Sequence, residues 1–412
     1  MSAIDHIGAV AFRPQAAVVR LAGSAFVALG VLLSGFVISE PAPYELMMAG
    51  LVAIWFLLGL RISRAIAPLL ALLLTFNVGG LFSLTVMADL ADGPIYIAVS
   101  LFLALTSVFY AAIVEDDPRR LRLIFQAWLI SALLTGTLGI LGYFHAFAGS
   151  ETFTLYDRAK GAFQDPNVFG PFLVAPALYL IHGLLTGTLK RAPLRIAGLL
   201  VLSLAVFLSF SRAAWALFLF SACALVLVML LKERTAAFRL KILGLSLASV
   251  ILLGAALLAA LQSEKVSGLF SSRTQLVQDY DGGHLGRFDR HRIGFEMAME
   301  HPLGIGPLVF GLTFAEDEHN VLLKSLTTYG WLGFVTYIGL ISWTLAFGLR
   351  YLLRDRPWQP FLMIAWIVLV GHVGIGNVID TDHWRHFYLL LGIMWGCRGL
   401  EHRHLRRSRL GN

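Results

Sequence analysis

Residues 94–114 read PIYIAVSLFLALTSVFYAAIV, a run with no charged residue. Roughly 20 apolar residues in a helix span the hydrocarbon core of a bilayer, so this stretch reads as a transmembrane helix. Eleven more stretches of comparable length and apolarity lie near 17–38, 43–62, 65–87, 121–146, 168–188, 194–210, 213–231, 240–262, 325–349, 359–377 and 385–400. The composition agrees: 58% hydrophobic and 14% charged residues are too apolar for a soluble fold of 412 residues. The expected fold is an all-α integral membrane protein. It forms one polytopic domain over 1–412 with about 12 transmembrane helices.

Orientation follows from Lys and Arg, which stay on the cytoplasmic side of short connections. With the N-terminus inside, the inner segments carry Arg13 and Arg20; Arg61 and Arg64; Arg119, Arg120 and Arg122; Lys190, Arg191 and Arg195; Lys232, Arg234, Arg239 and Lys241; Arg350, Arg354 and Arg356; and Arg398, Arg403, Arg406, Arg407 and Arg409. These are 22 of the 32 basic residues, leaving 10 on the outer face against 18 acids. Both termini are expected in the cytoplasm. The basic tail lies beside a span, where anionic membrane lipid is the natural partner, so no nucleic-acid partner is expected. Cys223 and Cys397 fall inside predicted spans and show no metal-type spacing. The first span lacks a small-residue cleavage site and reads as a helix that stays in the membrane.

Two outer connections are long, and long loops in compact proteins are usually functional. The first covers 147–167 and the second 263–324. Within the second, Arg290 to Glu300 has helix length, with Ile293, Met297 and Phe295 or Ala298 forming an apolar face. It should stop at His301-Pro302, before the turn Gly304-Ile305-Gly306-Pro307. This loop is expected to form a small amphipathic helical cap on the outer leaflet.

Four outer motifs carry polar chemistry. In FLSFSRAAWALF (207–218), Arg212 sits between two spans, where it either snorkels to lipid phosphate or binds an anionic substrate group. GRFDRHRIGF (286–295) sets Arg287, Arg290 and Arg292 within six residues, with His284, Asp289 and His291 nearby. Guanidinium forks grip phosphate by paired, charge-assisted bonds, while an interfacial helix would use them on headgroups. EDEHNVLLKSLTTYGWLGF (316–334) places His319 and Asn320 behind Glu316, Asp317 and Glu318. Asn320 suits a helix N-cap; His319 suits proton abstraction from a sugar hydroxyl. In DRAKGAFQDPNVFGPFLV (157–174), Asp165-Pro166-Asn167 is a turn and helix start, with Arg158 and Lys160 as phosphate or glycan contacts. Lys324 lies near a span end, from which it can snorkel. Asp380-Thr381-Asp382, near His383 and His386, reads as a helix-capping turn before a metal site.

The pattern His319-Asn320-x9-Gly330-x2-Gly333 resembles the motif of bacterial O-antigen ligases and the related Wzy-type polysaccharide polymerases. SFSRAAW (209–215) and AMEHPLGIGP (298–307) fit the same resemblance, and GAFQDPNVFG (161–170) is similar to a signature of exopolysaccharide members. The likeness covers roughly 155–345. It implies a GT-C-like membrane glycosyltransferase in the bacterial inner membrane, with its active face periplasmic. Such an enzyme moves a glycan from undecaprenyl diphosphate to an acceptor hydroxyl, either of lipid A core (ligase) or of a lipid-linked glycan (polymerase). Carried over by motif, Arg212 and Arg287 or Arg290 would hold the diphosphate, and His319 would activate the acceptor. Arg158, Lys160, Glu318, Asn320 and Arg292 are further substrate-binding candidates. No metal or cofactor is expected, and the displacement would invert the anomeric centre.

Ligase and polymerase stay open at this level. A lipid-linked glycan transporter is the reading from another class, but transporters set ionisable residues or broken helices at mid-membrane, often in repeated halves. Here the polar groups gather at one face.

Overall fold

A computed structural model describes residues 14–59, 61–233, 235–262, 264–274, 286–314 and 316–410. Among the described residues the regular structure is helical apart from one two-stranded hairpin, Thr154–Leu155 against Arg158–Ala159. A helix stands at each of the apolar stretches read from the sequence. Among the described residues, six helices are long and apolar enough to cross a membrane: Ala67–Leu84, Gly93–Asp116, Arg119–Tyr143, Pro166–Thr186, Arg212–Lys232 and Val321–Tyr351. Four more apolar helices are shorter, Leu21–Leu33, Pro43–Leu57, Ala192–Leu208 and Gln359–Ile375. This is a membrane protein.

Prolines begin many of these helices, at Pro43, Pro68, Pro94, Pro166, Pro193 and Pro360. The first turn has no partner for an N–H that proline lacks, and the fixed φ suits it. Large apolar side chains such as Leu46, Phe56, Leu219 and Val335 face outward, as expected of a lipid-facing perimeter. The centre is built on close approaches at glycine. Gly392, Gly396 and Gly399 of helix Arg385–Leu410 lie on Ser107, Ala111, Val114 and Glu115 of helix Gly93–Asp116. Small residues at such spacing let two backbones approach and gain dispersion contacts. Gly79 of Ala67–Leu84 likewise lies on the backbone of Tyr329 and Gly333.

The second long connection holds short helices, Glu264–Thr274, Arg287–Glu300 and Val309–Phe314. Arg287–Glu300, here the cap helix, ends at His301, just before Pro302. Its inward stripe overlaps in part the one read in the sequence: Ala298 is buried and Ile293 and Met297 are half-buried. Arg290, Gly294 and Ala298 are buried, whereas Phe288, Phe295 and Met299 are exposed. Gly294 explains the choice, because a Cβ there would crowd Leu323 and Phe310. A smooth face lets the cap helix lie directly on the helix that re-enters the membrane.

That re-entry helix, Val321–Tyr351, begins four residues before the expected span, so Lys324 lies inside it. It breaks at Gly330 (φ 68°, ψ −173°), a conformation essentially closed to side-chain-bearing residues. The Pro302–Gly306 turn fits into the break. Trp331 N–H donates to Pro302 O at 2.9 Å, and Ile305 N–H donates to Thr327 O at 2.7 Å. The backbone groups released by the kink are thereby satisfied.

Candidate active site

Two polar groups form from the sequence motifs. The first joins the hairpin, the Asp165 turn and the start of helix Arg212–Lys232. Asp165 accepts from Asn167 N–H at 2.6 Å, an N-cap. Arg158 is buried, its Nε donating to Ser209 O at 2.8 Å and its Nη2 to Asn167 Oδ1 at 2.8 Å. It pins the hairpin to both neighbouring turns. A guanidinium with those partners holds three segments together. Lys160 is half-buried at the end of the hairpin, its N–H donating to Phe153 O. Ser211 caps the next helix by accepting from Ala214 N–H, and Arg212 occupies that helix's half-buried first position.

The second group surrounds His319. Asn320 caps the re-entry helix by accepting from Leu322 and Leu323 N–H at 3.0 and 3.1 Å. Its Nδ2 donates to Asn377 O at 3.3 Å, and Val321 N–H donates to Gly376 O at 2.7 Å. Asn320 thus ties the helix start to the connection before the last helix. The cap forces His319 into the left-handed region, φ 51°. His tolerates that region better than most residues.

His319 Nδ1 lies 3.3 Å from Asp380 Oδ2, and its side chain is one-third exposed. Asp380 also lies 3.6 Å from Lys324 Nζ, which reaches Asp317 Oδ2 at 3.0 Å. Lys324 is therefore buried and ion-paired, not snorkelling. Asp382 stands beside it, accepting from Tyr96 OH at 2.5 Å and meeting His383 Nδ1 at 2.9 Å. Burial alone would raise the Asp382 carboxyl, but Lys324, His383 and Tyr96 outweigh it and hold it low. Glu318 goes the other way. It is 1% exposed, accepts from Thr327 Oγ1 at 2.5 Å, and burial lifts it to about 7 despite Lys324.

The cap arginines separate. Arg290 is buried against Glu316, Nη2 to Oε2 2.5 Å. Arg292 is exposed and pairs along its own helix with Asp289 (3.1 Å) and Glu296 (2.9 Å), where surface pairs of this kind contribute little. Arg287 opens the cap helix, but its side chain lies outside the described residues, as does His284.

Sequence reasoning missed Asp380, Asp382, Lys324 and Tyr96 as parts of the site. Asp380 and Asp382 close the turn before helix Arg385–Leu410, yet they face Lys324 instead of serving only as caps. The available signal was a connection of nine residues, 376–384, holding two acids and a histidine.

The Asp380 contact engages one ring nitrogen of His319. An imidazole whose Nδ1 is engaged by a carboxylate is fixed in ring orientation, and its Nε2 is the nitrogen left for a substrate hydroxyl. Cations stand on the cap and at the helix start near Ser211. No curated protein matches the chain. Residues 197–338, which hold Arg212, the cap and the His319 turn, match the family model of the O-antigen ligase. That match makes this segment similar to the O-antigen ligase/Wzy-type superfamily.

Proposed function

We propose that this membrane enzyme transfers a glycan from an undecaprenyl-diphosphate carrier to an acceptor hydroxyl on the periplasmic face of the inner membrane. The best-supported acceptor class is lipid A core, as in the ligases; the Asp165-Pro166-Asn167 turn favours the polymerase variant of the same chemistry. The fold extends to twelve spans in a GT-C-like arrangement with both termini cytoplasmic. The observation that carries this reading is the His319–Asp380 contact at the loop's return to the membrane, inside the matched segment.

The chemistry follows from the groups present. Asp380 orients the ring and balances the imidazolium as His319 Nε2 takes the acceptor proton. The acceptor oxygen attacks the anomeric carbon opposite the diphosphate, the glycosidic bond to phosphate breaks, and the configuration inverts. Negative charge grows on the departing diphosphate, and preorganised guanidinium groups, Arg212 with Arg290 or Arg287, stabilise it.

The test is glycan profiling of a deletion strain carrying either wild type or His319→Ala. Long chains retained on the carrier and absent from lipid A core identify a ligase. Single repeat units identify a polymerase. A wild-type profile from His319→Ala removes the histidine from the mechanism and revives the transporter reading.

A further inference from the structure

Arg290 is the one charged residue on the cap helix's inward stripe of Arg290, Gly294 and Ala298. Its side chain is 5% exposed, whereas that of its partner Glu316 is 54% exposed. The pair is therefore lopsided: a buried cation is held by a carboxylate that can turn into water. The cation is also incompletely satisfied. Its Nε is buried, and among the described residues it meets no acceptor. A buried donor left without an acceptor is destabilising. Guanidinium suits an anion that answers several N–H groups at once, as a phosphate does.

Building on the donor reading above, we propose that Glu316 is a displaceable occupant of an anion seat at Arg290. Its carboxylate stands where an oxygen of the donor's diphosphate goes, and the diphosphate turns it out to solvent. An occupied seat lowers apparent affinity by the fraction of molecules in which it is open. Glu316 also lies three residues before His319 on the same short segment. Displacement therefore alters the loop that holds the base at the moment the donor arrives.

The experiment uses the full-length protein in detergent, with two probes: undecaprenyl diphosphate without glycan, and inorganic pyrophosphate. Glu316→Gln removes the competing charge, and Glu316→Asp keeps it on a shorter reach, so it carries the test if the first variant melts early. Both should bind either probe more tightly than wild type, by about fivefold for Glu316→Gln, the equivalent of one part-exposed ion pair. Arg290→Gln should lose binding. Equal or weaker binding by both Glu316 variants overturns the proposal and makes the contact a plain structural latch. Tighter pyrophosphate binding without any undecaprenyl diphosphate binding keeps the seat and removes the donor reading. If neither probe binds wild type or variant, there is no seat.

Discussion

Lys324→Met tests whether the acids around His319 are held together by one buried cation. Lys324 is 6% exposed and lies 3.0 Å from Asp317 and 3.6 Å from Asp380, with Asp382 also acting on it. Methionine keeps most of the volume, so the loss is mainly electrostatic. Removing one partner of a buried pair typically costs about 3–5 kcal/mol, because the remaining charge is left uncompensated. Asp317 and Asp380 are part-exposed (31% and 17%), so water recovers some of that, and roughly 2–3 kcal/mol is expected. Denaturation of the purified protein in mild detergent, followed by intrinsic tryptophan fluorescence, measures it. Adding Asp380→Asn to Lys324→Met removes the carboxylate that repels its neighbours and should restore about 1 kcal/mol, a coupling expected of groups in contact. An unchanged midpoint in Lys324→Met, or strictly additive losses in the double variant, would refute the reasoning.

Asp380→Asn alone should cut glycan transfer about 10–100-fold while leaving carrier binding near wild type, the usual consequence of losing a histidine's orienting carboxylate; equal losses in binding and turnover would contradict that role. Glu318 gives a pH signature. Between its ordinary 4.5 and about 7, the folded protein keeps a proton on Glu318 that the unfolded chain has released, so its contribution makes stability fall as pH rises through that window. The full effect is on the order of 3 kcal/mol, and Glu318→Gln should flatten it in melts at pH 5 and pH 8 (about two pH settings bracketing the window). Gly330→Ala should cost about 1–3 kcal/mol from φ strain alone, with further loss because its Cβ would meet the Pro302–Leu303 backbone; a melt at wild-type temperature would show that the break is not needed. Transfer by the purified enzyme should persist after thorough chelation, and full dependence on added Mg²⁺ or Mn²⁺ would sink the metal-independent displacement.

Helix positions were legible because lipid imposes a simple rule on composition: each apolar run had to be a helix to satisfy its own backbone. The stop at His301-Pro302 and the cap at Asn320 were legible because local sterics and local hydrogen bonding decide them. What escaped was tertiary. Arg158 and Arg292 look alike as outer arginines, yet one is a buried pin between two turns and the other an exposed i,i+3 and i,i+4 partner. Nothing local separates them. The cap helix's inward stripe was legible only in part for the same reason: Ala298 is buried as one of the two options read, but close approach to Leu323 puts Gly294 inside and leaves Phe295 exposed. Asp380 lies 61 positions beyond His319, and only the packing of the last two helices brings it there.

The segment Glu316–Asn320 shows why the motif must be continuous. Each successive side chain is tied to a different partner. Glu316 meets Arg290 on the cap helix, Asp317 meets Lys324 and Glu318 meets Thr327 on the re-entry helix, and His319 meets Asp380 in the connection before the last helix. Asn320 closes the series by capping the helix that Lys324 and Thr327 belong to. Neighbours in an extended segment point in different directions, which lets five consecutive residues reach three structural elements. The left-handed φ at His319 is sustained by contacts on both sides of it, since no glycine is there to relieve it. The imidazole is therefore placed by the assembled cap, membrane helix and final connection together. Loosening the membrane helix or the final connection should displace the base before it unfolds the protein, so variants at Lys324 and Asp380 should each lose more turnover than their stability losses account for.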